Sequence, residues 1–428
     1  MTSTVCVPGR GRERITTVPA SFTILVALVI QSALSAATVL AQPAVTLWDM
    51  AALRRPPQAT WLDTEGPLRR LSYEGEPRAG KPTQVFAYCG FPAGATGKSP
   101  AMVLIHGGGG TAFPEWVKLW TDRGYVAIAM DLAGKGVGRQ PLPDGGPDQS
   151  DDMKFPLTAQ PLRDLWSYHA VAACVRAGSL LASLAEVDPD RIGVTGISWG
   201  GYLTCIVAGL DDRFKAAVPV YGCGFLADNS TWLSRFAAMD PQWKQTWIDN
   251  FDPSKHVGRA QMPMFFVNGT NDFAYPLDSY QKTYRLVGDR RLCVTVKMPH
   301  GHPQGWAPQE IGIFVDHQLR ADKAGRQPEP LPAVAALAEI SVDGLTATIR
   351  GVTAKLPVVR FHWTSDAGPW QSRTWTTTET VLADGMASVT LPTARPLVGF
   401  FTLTDARGAT VSCEYFELPV PATAAEKP

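Results

Sequence analysis

The chain has 428 residues, 45% of them hydrophobic, with 39 basic and 39 acidic side chains. That length can bury more than one core, so two domains are expected. The formal net charge of zero excludes a global field that would recruit nucleic acid or an anionic membrane.

From the N-terminus, Ala20 to Leu40 is largely apolar, Arg10, Arg12 and Arg14 precede it, and Val39-Leu40-Ala41 offers the small residues of a cleavage site. Residues 1–41 therefore read as a secretory signal, whose removal would leave a formal charge of −2; the other reading is an uncleaved membrane anchor. Localisation outside the cytoplasm, secreted or periplasmic, follows from the first reading. Nothing later resembles a membrane span, so no stable membrane insertion is expected after cleavage.

Short apolar segments at Val85–Tyr88, Ala101–Ile105 and Tyr125–Met130 read as strands, and Leu162–Leu184 has helical periodicity. A turn at Asp188-Pro189-Asp190 introduces a strand at Arg191–Thr195. Strands at Ala216–Tyr221, Met264–Val267 and Leu292–Val296 and a helix near Pro308–Leu319 follow. Strands alternating with helices predict an α/β fold, a mostly parallel sheet covered on both faces. An insertion at about 222–260 carries Phe225, Trp232, Phe236, Trp243 and Trp247; it reads either as a cap over the sheet edge or as its own small core.

Residues 324–332 form a Pro- and Gly-containing linker, closing a catalytic domain at 42–323. Beyond it, Asp343-Gly344 between Ile340–Val342 and Leu345–Ile349 is a hairpin signal. Further Thr-, Val- and aromatic-rich segments at Val358–Trp363, Arg373–Thr377, Ala387–Leu391, Val398–Leu403 and Val411–Leu418 predict a small β-sandwich over 333–420, with a tail at 421–428. Trp363, Trp370 and Trp375 could face sugar rings or fill that sandwich; the structural role is preferred. Six of the seven cysteines follow the signal, widely spaced and without C-x-x-C, which argues for buried thiols or at most one bridge.

The chemistry concentrates at Gly196-Ile197-Ser198-Trp199-Gly200, between a short apolar strand and a helix. A serine at such a turn is a nucleophile elbow, and the flanking glycines are a steric requirement. A serine hydroxyl needs a base, and the base an orienting carboxylate. The strand Met264–Val267 runs into Asp272, the expected acid, with Asp278 the weaker alternative. The following strand leads to His300-Gly301-His302. His300 is preferred as base, with His302 as alternative or as a neighbouring group. The oxyanion of acyl transfer would be met by the Trp199 N–H and by an N–H of His106-Gly107-Gly108-Gly109-Gly110, Gly108 first and Gly109 second. This glycine run is not a phosphate loop, because no Lys-Ser/Thr follows Gly110; Gly97-Lys98-Ser99 has Pro92 where the first glycine should stand. His169, His256, His317 and His362 are assigned structural roles. No cofactor or metal is needed.

On these residues the chain resembles the α/β-hydrolase superfamily, in the branch of dienelactone hydrolases, acetyl xylan esterases and the prolyl oligopeptidase catalytic domain. The resemblance spans roughly Trp48 to Leu418. It is carried by His106-Gly107-Gly108, Asp190 to Gly201, Gly269-Thr270-Asn271-Asp272 and the loop His300 to Trp306. Within the branch it is most similar to secreted bacterial proteins described as acetyl xylan esterase-like, which implies a Ser-Asp-His triad and places His106 and Trp306 at the substrate pocket. Acetyl xylan esterases proper usually carry Gln where this chain has Trp199, and an aromatic residue where it has Gly108. The expectation is thus a serine esterase for small-molecule or carbohydrate esters. A prolyl oligopeptidase-type peptidase is the alternative, and a binding protein that has lost activity a third reading.

Overall fold

The computed structural model describes residues 47–420 except 322–323, 335–336, 342 and 353–356, so the signal and tail readings lie outside the described residues. The main sheet has nine strands: β1 (Ala59–Trp61), β2 (Leu68–Glu74), β3 (Gln84–Gly90), β4 (Ser99–Ile105), β5 (Val126–Met130), β6 (Val187–Ile197), β7 (Phe214–Val220), β8 (Met264–Gly269) and β9 (Arg290–Thr295). Their order is β1-β2-β3-β5-β4-β6-β7-β8-β9. β1, β2 and β3 pair antiparallel, as do β3 and β5, whereas β5-β4-β6-β7-β8-β9 is parallel throughout. The uninterrupted apolar runs of β4 and β5 are buried along their whole length, the mark of strands covered on both faces.

Two features differ from the sequence reading. The strands β1 and β2, at one side of the sheet, were not predicted. Leu68-Arg69-Arg70-Leu71-Ser72-Tyr73-Glu74 buries only Leu71 and Tyr73, so its apolar signal is half that of a central strand. The turn expected at Asp188–Asp190 is instead a bulge within β6: Val187 pairs with Ser99 and Ile192 with Ala101, leaving four residues of β6 opposite one of β4.

Beyond the linker stand two antiparallel sheets. One contains β10 (Glu339–Ile340), β11 (Thr346–Ile349), β14 (Leu382–Ala383) and β15 (Met386–Thr390); the other contains β12 (Val358–Thr364), β13 (Thr376–Thr380), β16 (Leu397–Thr404), β17 (Thr410–Ser412) and β18 (Phe416–Leu418). Ala347, Ile349, Ala387, Val359, Phe361 and Leu403 are buried from these strands. Trp370 and Trp375 are buried too, so their faces are closed to a sugar ring. His362 spans Thr377 and Thr402 through its two ring nitrogens. All six described cysteines are free, buried thiols. Among the described residues no helix is long and apolar enough to cross a membrane.

Polar anchors join the β region to the hydrolase sheet. The Val294 N–H donates to Ser412 Oγ at 3.0 Å, and the Thr410 N–H to Glu310 Oε1 at 2.8 Å. Glu414, its side chain 1% exposed, meets Arg285 at 2.7 Å and Arg290 at 2.6 Å. A carboxylate so deeply buried is tolerable only while both guanidiniums face it. Glu414→Ala is expected to lower stability by about 2 kcal/mol, less than a fully buried pair because Arg285 is half exposed. Urea denaturation of the variant beside the wild type measures this; an unchanged midpoint would mean the pair holds nothing together.

Candidate active site

The site begins with the elbow. Ser198 has φ 59° and ψ −117°, a backbone conformation that costs a non-glycine residue energy. It is held by its N–H to the Val220 carbonyl and by the Tyr202 N–H to its own carbonyl, both at 2.9 Å. A Cβ on Gly200 would lie 1.9 Å from the Ile105 carbonyl oxygen, and one on Gly196 2.1 Å from the Gly200 oxygen. No side chain fits at either position. The helix Trp199–Leu210 starts directly after the serine, and its first N–H groups have no acceptor within the helix.

β8 delivers Asp272, which is 2% exposed. Its Oδ1 accepts from the Ala274 and Tyr275 N–H groups at 2.9 and 2.8 Å, and its Oδ2 lies 2.6 Å from His300 Nδ1. A carboxylate only accepts, so Nδ1 carries the ring hydrogen and Nε2 is left with its lone pair. The ring is gripped from both sides, Tyr221 stacking on it at 4.4 Å and Phe273 packing at 4.8 Å. Asp278 lies in the helix Leu277–Tyr284 and holds the Asn229 amide instead.

His302 has a different occupation. Its Nε2 accepts from the Gly107 N–H at 2.9 Å, which ties up the lone pair a base would use. Burial, with His106, His300 and Arg139 nearby, pushes its pKa down to about 4, so it stays neutral. His106 corrects the sequence reading: it is 1% exposed, its Nε2 accepts from the Leu132 N–H, and its Nδ1 donates to the Gly107 carbonyl. It shapes the glycine loop and has no free atom for a substrate. Trp306 is corrected likewise. It packs on Phe113 and Trp116 and lines a surface cleft to which Ser198, Asp272 and His300 do not contribute.

The glycine loop meets the elbow directly, since a Cβ on Gly107 would stand 2.9 Å from that of Ser198. Gly108 faces the Trp199 indole, Gly109 has φ +67°, and Arg139 donates to the Gly109 carbonyl at 2.5 Å. The loop is therefore held by His106, His302 and Arg139 against the serine. The Trp199 ring enters an aromatic cluster with Trp232 at 4.6 Å, Phe155 at 5.5 Å and Trp166 at 5.4 Å. The Lys154 ammonium lies 4.7 Å over the same ring, and burial lowers its pKa. In the insertion Phe236 and Trp247 form a core with Phe155, while Trp232 packs on the ring of Trp199, next to Ser198.

Sequence reading missed three neighbours. Tyr221 directly follows β7 and Tyr275 lies in the loop between β8 and the helix Leu277–Tyr284; both are aromatic residues that a sequence reading assigns to the core. Asn271 Nδ2 donates to the carbonyls of Trp370 (3.2 Å), Gln371 (3.1 Å) and Arg373 (2.8 Å), so the β region grips the residue next to Asp272. The only sequence signal was that Asn271 adjoins the expected acid; its partners lie about a hundred residues away.

A strained serine between strand and helix, an acid after β8 and a histidine after β9, on a mostly parallel sheet, are the arrangement of the α/β-hydrolase fold. Residues 70–241 match the family described as Acetyl xylan esterase (AXE1), a span that includes Ser198 and ends before Asp272 and His300. Among curated relatives, the chain is 25% identical over 228 residues to Acetyl esterase Axe7A of Xylanibacter ruminicola, 47% of this chain and 49% of that protein. It is 26% identical over 210 residues to the Uncharacterized peptidase YuxL of Bacillus subtilis, 43% of this chain and 28% of that protein. The chain thus spans half or less of these relatives' length. Among solved structures, the acetyl xylan esterase from Paenibacillus sp. R4 superposes with TM-score 0.49 at 22% identity, over 59% of this chain and 87% of that one.

Asn271→Ala, by slackening the acid loop, is expected to lower kcat about tenfold with KM nearly unchanged, read from steady-state ester hydrolysis. A proportionate rise in KM would place Asn271 in binding instead. Burial also pushes His169, His256 and His362 to about 4, as it does His302. A histidine whose folded pKa lies below its unfolded value near 6.5 contributes stability that is complete above 6.5 and lost as pH falls toward 4. Thermal midpoints should therefore drop across that window, and His302→Asn should flatten part of the slope.

Proposed function

We propose that the protein is a secreted serine esterase that removes acetyl or other short acyl groups from carbohydrate or small-molecule alcohols. The observation that carries this reading is the 2.6 Å contact between Asp272 and His300, on the loops that follow β8 and β9. Ser198 Oγ attacks the ester carbonyl while His300 Nε2 takes its proton. Asp272 keeps the imidazole in the right tautomer and faces the imidazolium that forms. The N–H groups of Trp199 and of Gly108 or Gly109 receive the developing oxyanion. His300 returns the proton to the leaving alcohol, and water then hydrolyses the acyl-enzyme by the same route.

The match to the acetyl xylan esterase family and the similarity to an acetyl esterase support the ester class. The aromatic cluster of Phe155, Trp199 and Trp232 on the residue next to Ser198 supports an apolar acyl group. Secretion rests on the reading of residues 1–41. A serine peptidase using the same triad is the second reading, favoured by the relative described as a peptidase.

The test is hydrolysis of p-nitrophenyl acetate, butyrate and octanoate, acetylated xylan and a prolyl-peptide anilide. Acetyl esters should be preferred. Ser198→Ala and His300→Ala should each cost on the order of 10⁴-fold or more in kcat, and His302→Ala about 10- to 100-fold through the displaced glycine loop. Cleavage of the anilide alone would establish the peptidase, and full loss in His302→Ala with activity retained in His300→Ala would reverse the assignment of the base.

A further inference from the structure

Tyr275 stands three residues beyond Asp272 and is fully buried. Its backbone is fixed at both ends of the residue: the N–H donates to Asp272 Oδ1 at 2.8 Å, and the carbonyl accepts from Asn268 Nδ2 at 3.0 Å. Its ring lies nearly parallel to that of His300, 6.4 Å away at 11°, and meets Trp232 at 5.4 Å and Trp199 at 6.5 Å. The side chain is therefore locked between the histidine and the residue that follows the nucleophile. Yet its hydroxyl makes no hydrogen bond among the described residues. A buried phenol normally finds a partner, because leaving it unpaired forfeits its hydration with nothing in return.

Other buried tyrosines of this chain obey that rule. Tyr73, Tyr202 and Tyr280 each donate to a backbone carbonyl. The Tyr275 hydroxyl has no such partner among the described residues, although its ring stands between those of His300 and of Trp199, the residue next to Ser198. Burial holds the phenol pKa well above its usual value, so the group remains a donor across the working pH range.

We propose that the Tyr275 hydroxyl is a catalytic donor: it hydrogen-bonds the tetrahedral adduct formed at Ser198, as a side-chain complement to the backbone N–H groups of the oxyanion hole. It keeps its proton throughout. As the Ser198 oxygen bonds to the carbonyl carbon, the carbonyl π pair moves onto oxygen, His300 takes the serine proton, and the charged adduct supplies the acceptor that Tyr275 lacks at rest. When the adduct collapses, the bond to the alcohol breaks, His300 protonates the alcohol, and the phenol is again without a partner. A donor satisfied only in the adduct lowers the barrier without tightening the ground state.

This inference rests on Ser198 being the nucleophile, and the experiment separates the two. A fluorescent fluorophosphonate forms a phosphorus–oxygen bond to an activated serine and expels fluoride, through an adduct whose phosphoryl oxygen needs the same donors, whatever the natural substrate is. Labelling rates are measured for wild type, Ser198→Ala, Tyr275→Phe and Tyr73→Phe, each with its thermal midpoint. Tyr275→Phe keeps the ring and is expected to label about 100-fold more slowly, at a midpoint equal to or above wild type. Tyr73→Phe loses a hydroxyl bonded to the Ala173 carbonyl; it should lower the midpoint and leave labelling unchanged. Labelling of Tyr275→Phe within threefold of wild type overturns the proposal while leaving the serine reading intact. A wild type that does not label, or labels equally as Ser198→Ala, overturns both.

Discussion

At the elbow, β6 and the helix that follows it approach β4 so closely that the Gly200 Cα lies against the Ile105 carbonyl. That contact has several consequences. It forces the turn at Ser198 into a left-handed backbone conformation, which lifts the hydroxyl away from the sheet. It also brings the start of the helix beside the end of β4, where the glycine loop begins, so Trp199 and the glycine loop come together in one packing event. A single methyl group at Gly196 or Gly200 would separate these parts, because its nearest neighbours are backbone atoms that cannot turn aside.

Around this contact the histidines divide the labour by which nitrogen is already occupied. His106 and His302 spend their lone pairs on backbone N–H groups, of Leu132 and Gly107, and act as fixed posts for the glycine loop. His300 is turned the other way round by Asp272, with its hydrogen toward the carboxylate and its lone pair free. Three imidazoles close together thus have distinct roles without any difference in residue type.

The acid loop is a meeting point of both parts of the chain. Asp272 orients His300 and Tyr275 through its two oxygens, while Asn271 beside it is held by three carbonyls of the β region. Together with the Glu414–Arg285–Arg290 cluster, this makes the β region a brace for the hydrolase sheet. Burial of Trp370 and Trp375 fits that role, since both are spent on packing.

The parallel sheet, the elbow and the places of Ser198, Asp272 and His300 beyond successive strands were legible in the sequence because each is written locally: continuous apolar runs, glycines at fixed offsets, and polar residues after strands. Polar strands such as β2 escaped because only two of their residues are buried. What only the tertiary structure decided was the assignment within those local patterns. His300 and His302 are two residues apart and chemically identical, and they differ only in whether Asp272 or Gly107 meets the ring. The roles of His106, Trp306, Asn271 and Tyr275 were likewise set by partners distant along the chain. Local sequence determines which groups a loop presents; which of them keeps a free lone pair or an unpaired hydroxyl depends on what the folded chain brings against them.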